Sequence, residues 1–292
     1  MNRIKGILYA AVSSSTFGLA PFFSITLLLA GFSAFEVLSY RWGVASIVLI
    51  VFGWLSGCNF RLAGKDWGVV FLLSLLRAVT SFSLIIAYQN IASGVASTIH
   101  FMYPLAVALA MMFFFQEKKS LLVILAVLMS LLGAALLSLG ELEAKSGNTM
   151  VGLVAACVSV FSYAGYIVGV RTTRAVQINS TALTCYVMGL GTIFYLIGAY
   201  CTSGLQLVSD GYTWLIILGL ALPATAISNI TLVQAIKYAG PTLTSILGAM
   251  EPLTAVVIGV FVFKELFTVN SAVGIILILL AVSIVVFRRQ KS

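Results

Sequence analysis

Arg77, His100 and Glu251 are ionisable residues set deep inside long apolar runs. A charge at the bilayer centre costs at least about 2.5–3.5 kcal/mol on insertion scales, so each one calls for a use. Arg77 lies near the middle of the run 66–88. Its guanidinium can grip a carboxylate, or be spent on Glu251 and on the carbonyls of a broken helix. Glu251, in the middle of 242–263, can carry a proton, bind a cationic amine, or serve structure and gating. His100 stands four residues before Pro104, and proline cannot donate to the carbonyl four residues back, so the His100 carbonyl is expected to be free. Its imidazole can bind a ligand or relay protons, or simply bond a neighbour. Tyr103 and Asn229 complete the candidate set, Asn229 being the mid-run amide most in need of a partner. Arg41 can snorkel to the outer interface and is read as a gate or anchor more than as a binder. Gln89 and Asn90 are read as solvated at the outer surface. Gln234 is a further polar candidate, and Trp42, Tyr163 and Tyr166 are either packing or walls of a site.

Other chemistry finds little support. HExxH is absent, and one histidine among scattered serines is no catalytic array. Ser97 is one position off a full turn from His100, too weak to name a catalytic residue. The pattern GxxxxGK[ST] is absent, so ATP does not drive this chain directly. Cys58, Cys157, Cys185 and Cys201 form no CxxC pair and do not cluster with histidine. They are read as small apolar side chains, with no metal and no cofactor expected.

The elements that hold these residues follow from composition. Hydrophobic residues make up 61% of the 292, charged residues 8%, and the mean hydropathy is +1.14. So little polar surface cannot cover a soluble domain; lipid must be the solvent. The net charge of +8 forms no basic stripe, and nucleic acid is not an expected partner. About twenty apolar residues cross a bilayer, which gives ten segments: 5–30, 35–56, 66–88, 94–115, 120–140, 149–171, 181–203, 212–236, 242–263 and 269–287. The first is too long for a signal peptide core and is read as an uncleaved membrane helix. Strand-like alternation is absent, so a β-barrel is not expected. With a cytoplasmic N-terminus, Arg3, Lys5, Arg61, Lys65, Lys118, Lys119, Arg171, Arg174, Lys237, Arg288, Arg289 and Lys291 fall inside, and only Lys145 and Lys264 outside. Both termini are therefore expected in the cytoplasm.

The chain also repeats itself. AYQNIASGVASTIHFMYPLAVALAMMFFFQEK starts at Ala87 and AIKYAGPTLTSILGAMEPLTAVVIGVFVFKEL at Ala235. Pro104 matches Pro252, Glu117 matches Glu265, and His100 matches Gly248. Residues 1–145 and 146–292 are read as two five-helix repeats. An odd number of crossings inverts the second, a plan common to secondary transporters. Pro21, Pro104, Pro223 and Pro252 lie inside spans one, four, eight and nine and are candidate hinges; Pro241 starts span nine. Small residues at four-residue spacing (Ala10, Ser14 and Gly18 in span one, Gly165 and Gly169 in span six) suggest that these two spans meet, within a monomer rather than across a dimer.

Ten spans, Tyr103-Pro104 through Glu117, and Tyr238-Ala239-Gly240-Pro241 with Glu251-Pro252 through Glu265 resemble the EamA branch of the drug/metabolite transporter superfamily. The resemblance covers almost the whole chain. It implies an all-α integral membrane fold in which spans one to four and six to nine surround a cavity, with the fifth and tenth packed outside. It also implies a multi-pass protein of the bacterial inner membrane that moves a small metabolite, such as an amino acid, by alternating access. Export is the expected direction. Import or exchange of an anionic metabolite is the alternative, with a channel or intramembrane enzyme further behind. Proton coupling through Glu251 or His100, exchange and uniport all remain open.

Overall fold

The computed structural model describes residues 2–91, 93–117, 120–138, 147–202, 204–261 and 268–288. Lys118, Lys119, Lys145, Lys264, Glu265, Arg289 and Lys291, on which the charge-bias and repeat arguments drew, lie outside them. Among the described residues the protein is helical, without strands. Seven helices among the described residues are long and apolar enough to cross a membrane: Arg3–Leu29, Ala34–Leu55, Gly64–Asn90, Val95–Phe114, Thr149–Thr172, Ser180–Thr202 and Gly211–Ala239. Helices also occupy the other three segments expected to span.

Prolines decide where helices break. The first span is α1 (Asn2–Phe17) and α2 (Ala20–Leu29), with Pro21 in the first turn of α2. The second and third are α3 (Ala34–Leu55) and α4 (Trp67–Asn90), both unbroken. The fourth is α5 (Ser93–His100) and α6 (Tyr103–Phe114), with Pro104 opening α6. Each first piece ends four residues before its proline, where the ring collides with a carbonyl and the N–H is missing. Next come α7 (Leu121–Ser138), α8 (Thr149–Thr172) and α9 (Ser180–Thr202). The eighth span is α10 (Gly211–Ala221), a π turn over Leu222–Ile227, and α11 (Ser228–Ala239). Gly240, at φ 86°, permits the sharp entry into α12 (Pro241–Leu247), which is followed by α13 (Met250–Phe261) and α14 (Val269–Arg288).

Polar ends are tied down locally. Ser33 and Glu36 form a reciprocal cap on α3, and the same Glu36 carboxylate accepts from Gln206 N at 2.7 Å. Asp210 caps α10 by accepting from Thr213 N, and this bond holds its carboxyl below the usual carboxylate range. Asn90 does more than meet solvent: its Oδ1 accepts from Asn148 N at 3.0 Å, joining the end of α4 to the cap of α8. Gln89 is exposed, as expected.

Packing follows a pattern. The main partners are α4 with α8, α1 with α11, α3 with α9, and α7 with α14; α6 meets α12, α6 meets α8, and α1 meets α13. Exchanging each span for the one five places along returns the same set. The close meeting of spans one and six is not among these contacts. Gly6 of α1 instead approaches Ala239, Gly18 in the break after α1 approaches the Glu251 carbonyl, and Gly169 lies under Leu73 of α4. The small-residue faces thus serve the 1–8, 1–9 and 3–6 contacts. Gly191 of α9 faces buried Trp42 of α3, whose ring a Cβ would overlap. Gly191→Ala should therefore cost about 1–3 kcal/mol through overpacking. This is measurable as a lower melting temperature in detergent; unchanged melting would mean that α3 and α9 are free to separate.

Candidate functional site

The site grows from one irregular turn. Pro223 disrupts the ladder of the eighth span, and the chain widens into the π turn Leu222–Ile227. The Thr225 hydroxyl donates to the Leu220 carbonyl at 2.7 Å. Its oxygen in turn accepts from Arg41 Nε at 2.7 Å, while Arg41 Nη2 reaches the Ala224 carbonyl at 3.4 Å. Four residues on, Asn229 Nδ2 donates to the Thr225 carbonyl at 2.7 Å, and Asn229 Oδ1 accepts from Arg77 Nε at 3.0 Å. Both atoms of the amide therefore have the partner they need, which fixes its orientation. Ser13 of α1 donates to the Ser228 carbonyl at 2.7 Å, locking the first span to the same turn.

Both arginines are buried, at 5% and 1% exposure, yet neither is ion-paired among the described residues. Arg77 also donates to Ser81 Oγ at 3.5 Å and sits over three rings, with Cζ 4.9 Å from the centroid of Tyr163, 5.3 Å from Phe17 and 5.9 Å from Tyr166. Arg41 Cζ lies 5.5 Å from the same Phe17 ring. Hydrogen bonds to neutral oxygens and ring faces, worth about 1.5–3 and 0.5–2 kcal/mol each, replace the carboxylate expected beside a buried cation. Arg41 is thus no snorkelling anchor: its head turns inward to the π turn, because Thr225 and Ala224 offer acceptors there. Phe17, Ser81 and both guanidiniums line a narrow pocket that runs along α2 and α4 to Ser24 and Tyr88, with a free volume of about 10 Å³. That is room for about one water.

A second cluster adjoins the first through Tyr163. His100, buried, stacks on Tyr163 at 5.4 Å between centroids and lies 5.4 Å from Tyr103. Its Nδ1 is 2.8 Å from Ser159 Oγ. Ser159 directs its own proton to the Ala156 carbonyl at 2.6 Å, so the imidazole is the donor in this pair. Nε2 is left a buried acceptor without a partner. The Tyr103 hydroxyl occupies the space over Gly248 that a Cβ would fill. The breaks of spans four and nine therefore pack on each other, and the match of His100 with a glycine has a steric reason. Ser97 is not the partner of His100; it pairs with the Tyr88 hydroxyl at 3.3 Å.

Glu251 sits in the first turn of α13, partly exposed, within electrostatic reach of Arg77 and Arg41 but forming no ion pair within 4 Å with either. The reading that spends Arg77 on Glu251 gives way to Asn229, which stands closer. Trp42 packs edge-on against Tyr195 at 5.1 Å in the α3–α9 contact and does not line the pocket. Gln234 Oε1 and the Tyr166 hydroxyl are buried without partners. Pro21, Pro104 and Pro252 each stand just after a break, and Pro223 within the π turn. Sequence reasoning passed over Thr225, Phe17 and Ser81. Their signal was position: Thr225 two residues after Pro223, Phe17 four before Pro21, and Ser81 one helical turn after Arg77.

The family model described as EamA-like transporter family matches residues 4–139 and again residues 150–287. No curated protein matches the chain. A solved structure titled only "Crystal structure of protein" superposes with a TM-score of 0.81, covering 100% of this chain and 99% of that one at 18% identity, a likeness of fold alone. The geometry carries its own test. Asn229→Leu removes the Arg77 Nε acceptor and should cost about 1.5–3 kcal/mol of stability, whereas Asn229→Asp should keep the protein folded. Equal melting of the leucine variant and the parent would show that the amide does not hold the guanidinium.

Proposed function

This chain belongs to the EamA-like transporter family, and on that premise we propose that it is a secondary transporter working by alternating access. Its substrate is a small metabolite, an amino acid or related compound, moved outward across the bacterial inner membrane. The reading takes the chain as ten crossings in two inverted five-helix repeats, 1–145 and 146–292, with both termini in the cytoplasm. A contact set that maps onto itself when spans are exchanged five apart supports the two-repeat reading. Inversion gives two like halves facing opposite sides, and trading their conformations moves a central site from one side to the other.

The observation that carries this reading is the pair of buried guanidiniums, without an ion pair among the described residues, in a bundle whose neighbouring spans are broken beside prolines. Cations held only by neutral groups are costly in such a place and point to a ligand that uses them. The breaks beside Pro21, Pro104 and Pro252 and the π turn at Pro223 are the hinges. Glu251 and the bare Nε2 of His100 are the groups able to take up a proton, so coupling runs through one of them or the carrier works by exchange or uniport. A hydrolytic reading has less support: His100 meets Ser159 through Nδ1 and no carboxylate orients the ring among the described residues.

Cells expressing the parent or Glu251→Gln at equal membrane levels are compared for metabolites released into the medium. A small compound accumulating with the parent and not with the variant is the expected result; it names the substrate and gives Glu251 the coupling role. Equal release would assign Glu251 to structure. Release no different from cells lacking the protein would sink the export reading.

A further inference from the structure

We infer that the pocket between Arg41 and Arg77 takes an organic anion, a carboxylate or phosphate head on an apolar body, and that Arg41 is a substrate-binding residue equal in standing to Arg77. This rests on the transporter reading for its meaning but not for its test. Both Cζ atoms lie within 5.5 Å of one ring centroid, that of Phe17, and so are less than about 11 Å apart. Each guanidinium spends Nε and one Nη on the protein. Arg41 Nη1 and Arg77 Nη2 donate to nothing among the described residues, and both arginines line the pocket. The pocket wall holds these two cations and no carboxylate. An ammonium group would face two like charges there, whereas a planar or tetrahedral anion can accept from the remaining Nη groups. Ala20, Pro21, Leu84 and Ile85 give the wall apolar stretches between Ser24, Thr80 and Tyr88, which suits a short hydrocarbon body behind the charged head. With so little free volume in this conformation, the ligand enters as the α1–α2 break at residues 18–19 opens, and the Phe17 ring moves with it.

Four small probes of one shape separate the classes. The purified full chain in detergent is melted with 3-phenylpropionate, phenyl phosphate, phenethylamine or phenylalanine. A rise with 3-phenylpropionate or phenyl phosphate and none with phenethylamine is expected. Arg41→Gln should weaken the binding constant of the responding anion about tenfold or more, with Arg41→Lys between that variant and the parent because the charge stays and the fork is lost. Should Arg41→Gln not fold, the lysine variant alone decides. Protection by phenethylamine, protection by phenylalanine alone, no protection by either anion, or unchanged affinity in the folded Arg41 variants would each overturn the inference. Counterflow in proteoliposomes then separates the two claims. Anion binding without counterflow leaves the site and ends the carrier reading; counterflow that ignores Arg41 does the reverse.

Discussion

Two guanidiniums in an apolar bundle must find enough oxygen to replace water, and the π turn of the eighth span is where most of it is found. A regular helix keeps its carbonyls engaged within its own ladder. The widened turn after Pro223 presents the Thr225 hydroxyl and the Ala224 carbonyl to Arg41, and through Asn229 it serves Arg77 as well. Spans two, three and eight are bound together by this one irregularity. The first joins them through Ser13 and through the Phe17 ring beneath both cations. Because the acceptors are neutral, the cations keep their charge available.

The other irregularities are arranged around that centre. Span one breaks beside Phe17, span four beside His100, and span nine at Gly248, where the Tyr103 hydroxyl comes to rest. Broken helices are tolerated at membrane depth only where protein or a cavity satisfies the freed backbone. The unbroken third and sixth spans, α4 and α8, form one side of the site and carry Arg77, Tyr163 and Tyr166. Broken spans thus face two unbroken ones.

Much of this was legible in the residues. Pro21, Pro104 and Pro252 located their breaks, since the missing N–H and the clash four residues back are local facts. Asn229 was marked by burial as an amide needing a partner, though the partner could not be named: Arg77 is far away in sequence and reaches it only through the packing of α4, α8 and α11. Arg41 was misjudged for the same reason. Distance along the helix from the outer end suggested snorkelling, and nothing local disclosed that a turn in another span would offer acceptors. A periodicity of small residues likewise told that helices touch closely, but not which ones; the 1–8 and 3–6 partners are decided by the tertiary arrangement.

The bond between Arg77 and Asn229 has a meaning beyond stability. The offset that carries Ala87 to Ala235 carries Ser81 to Asn229. Arg77 therefore donates to both copies of one repeat position. In a chain that the family model matches twice, a side chain that bonds both copies of a position ties one half to the other. Its own equivalent, by the same offset, is Thr225, which brings an oxygen where the first half brings a cation. The two halves thus bring unlike groups to one centre, two cations and a hydroxyl from the first and a hydroxyl and an amide from the second.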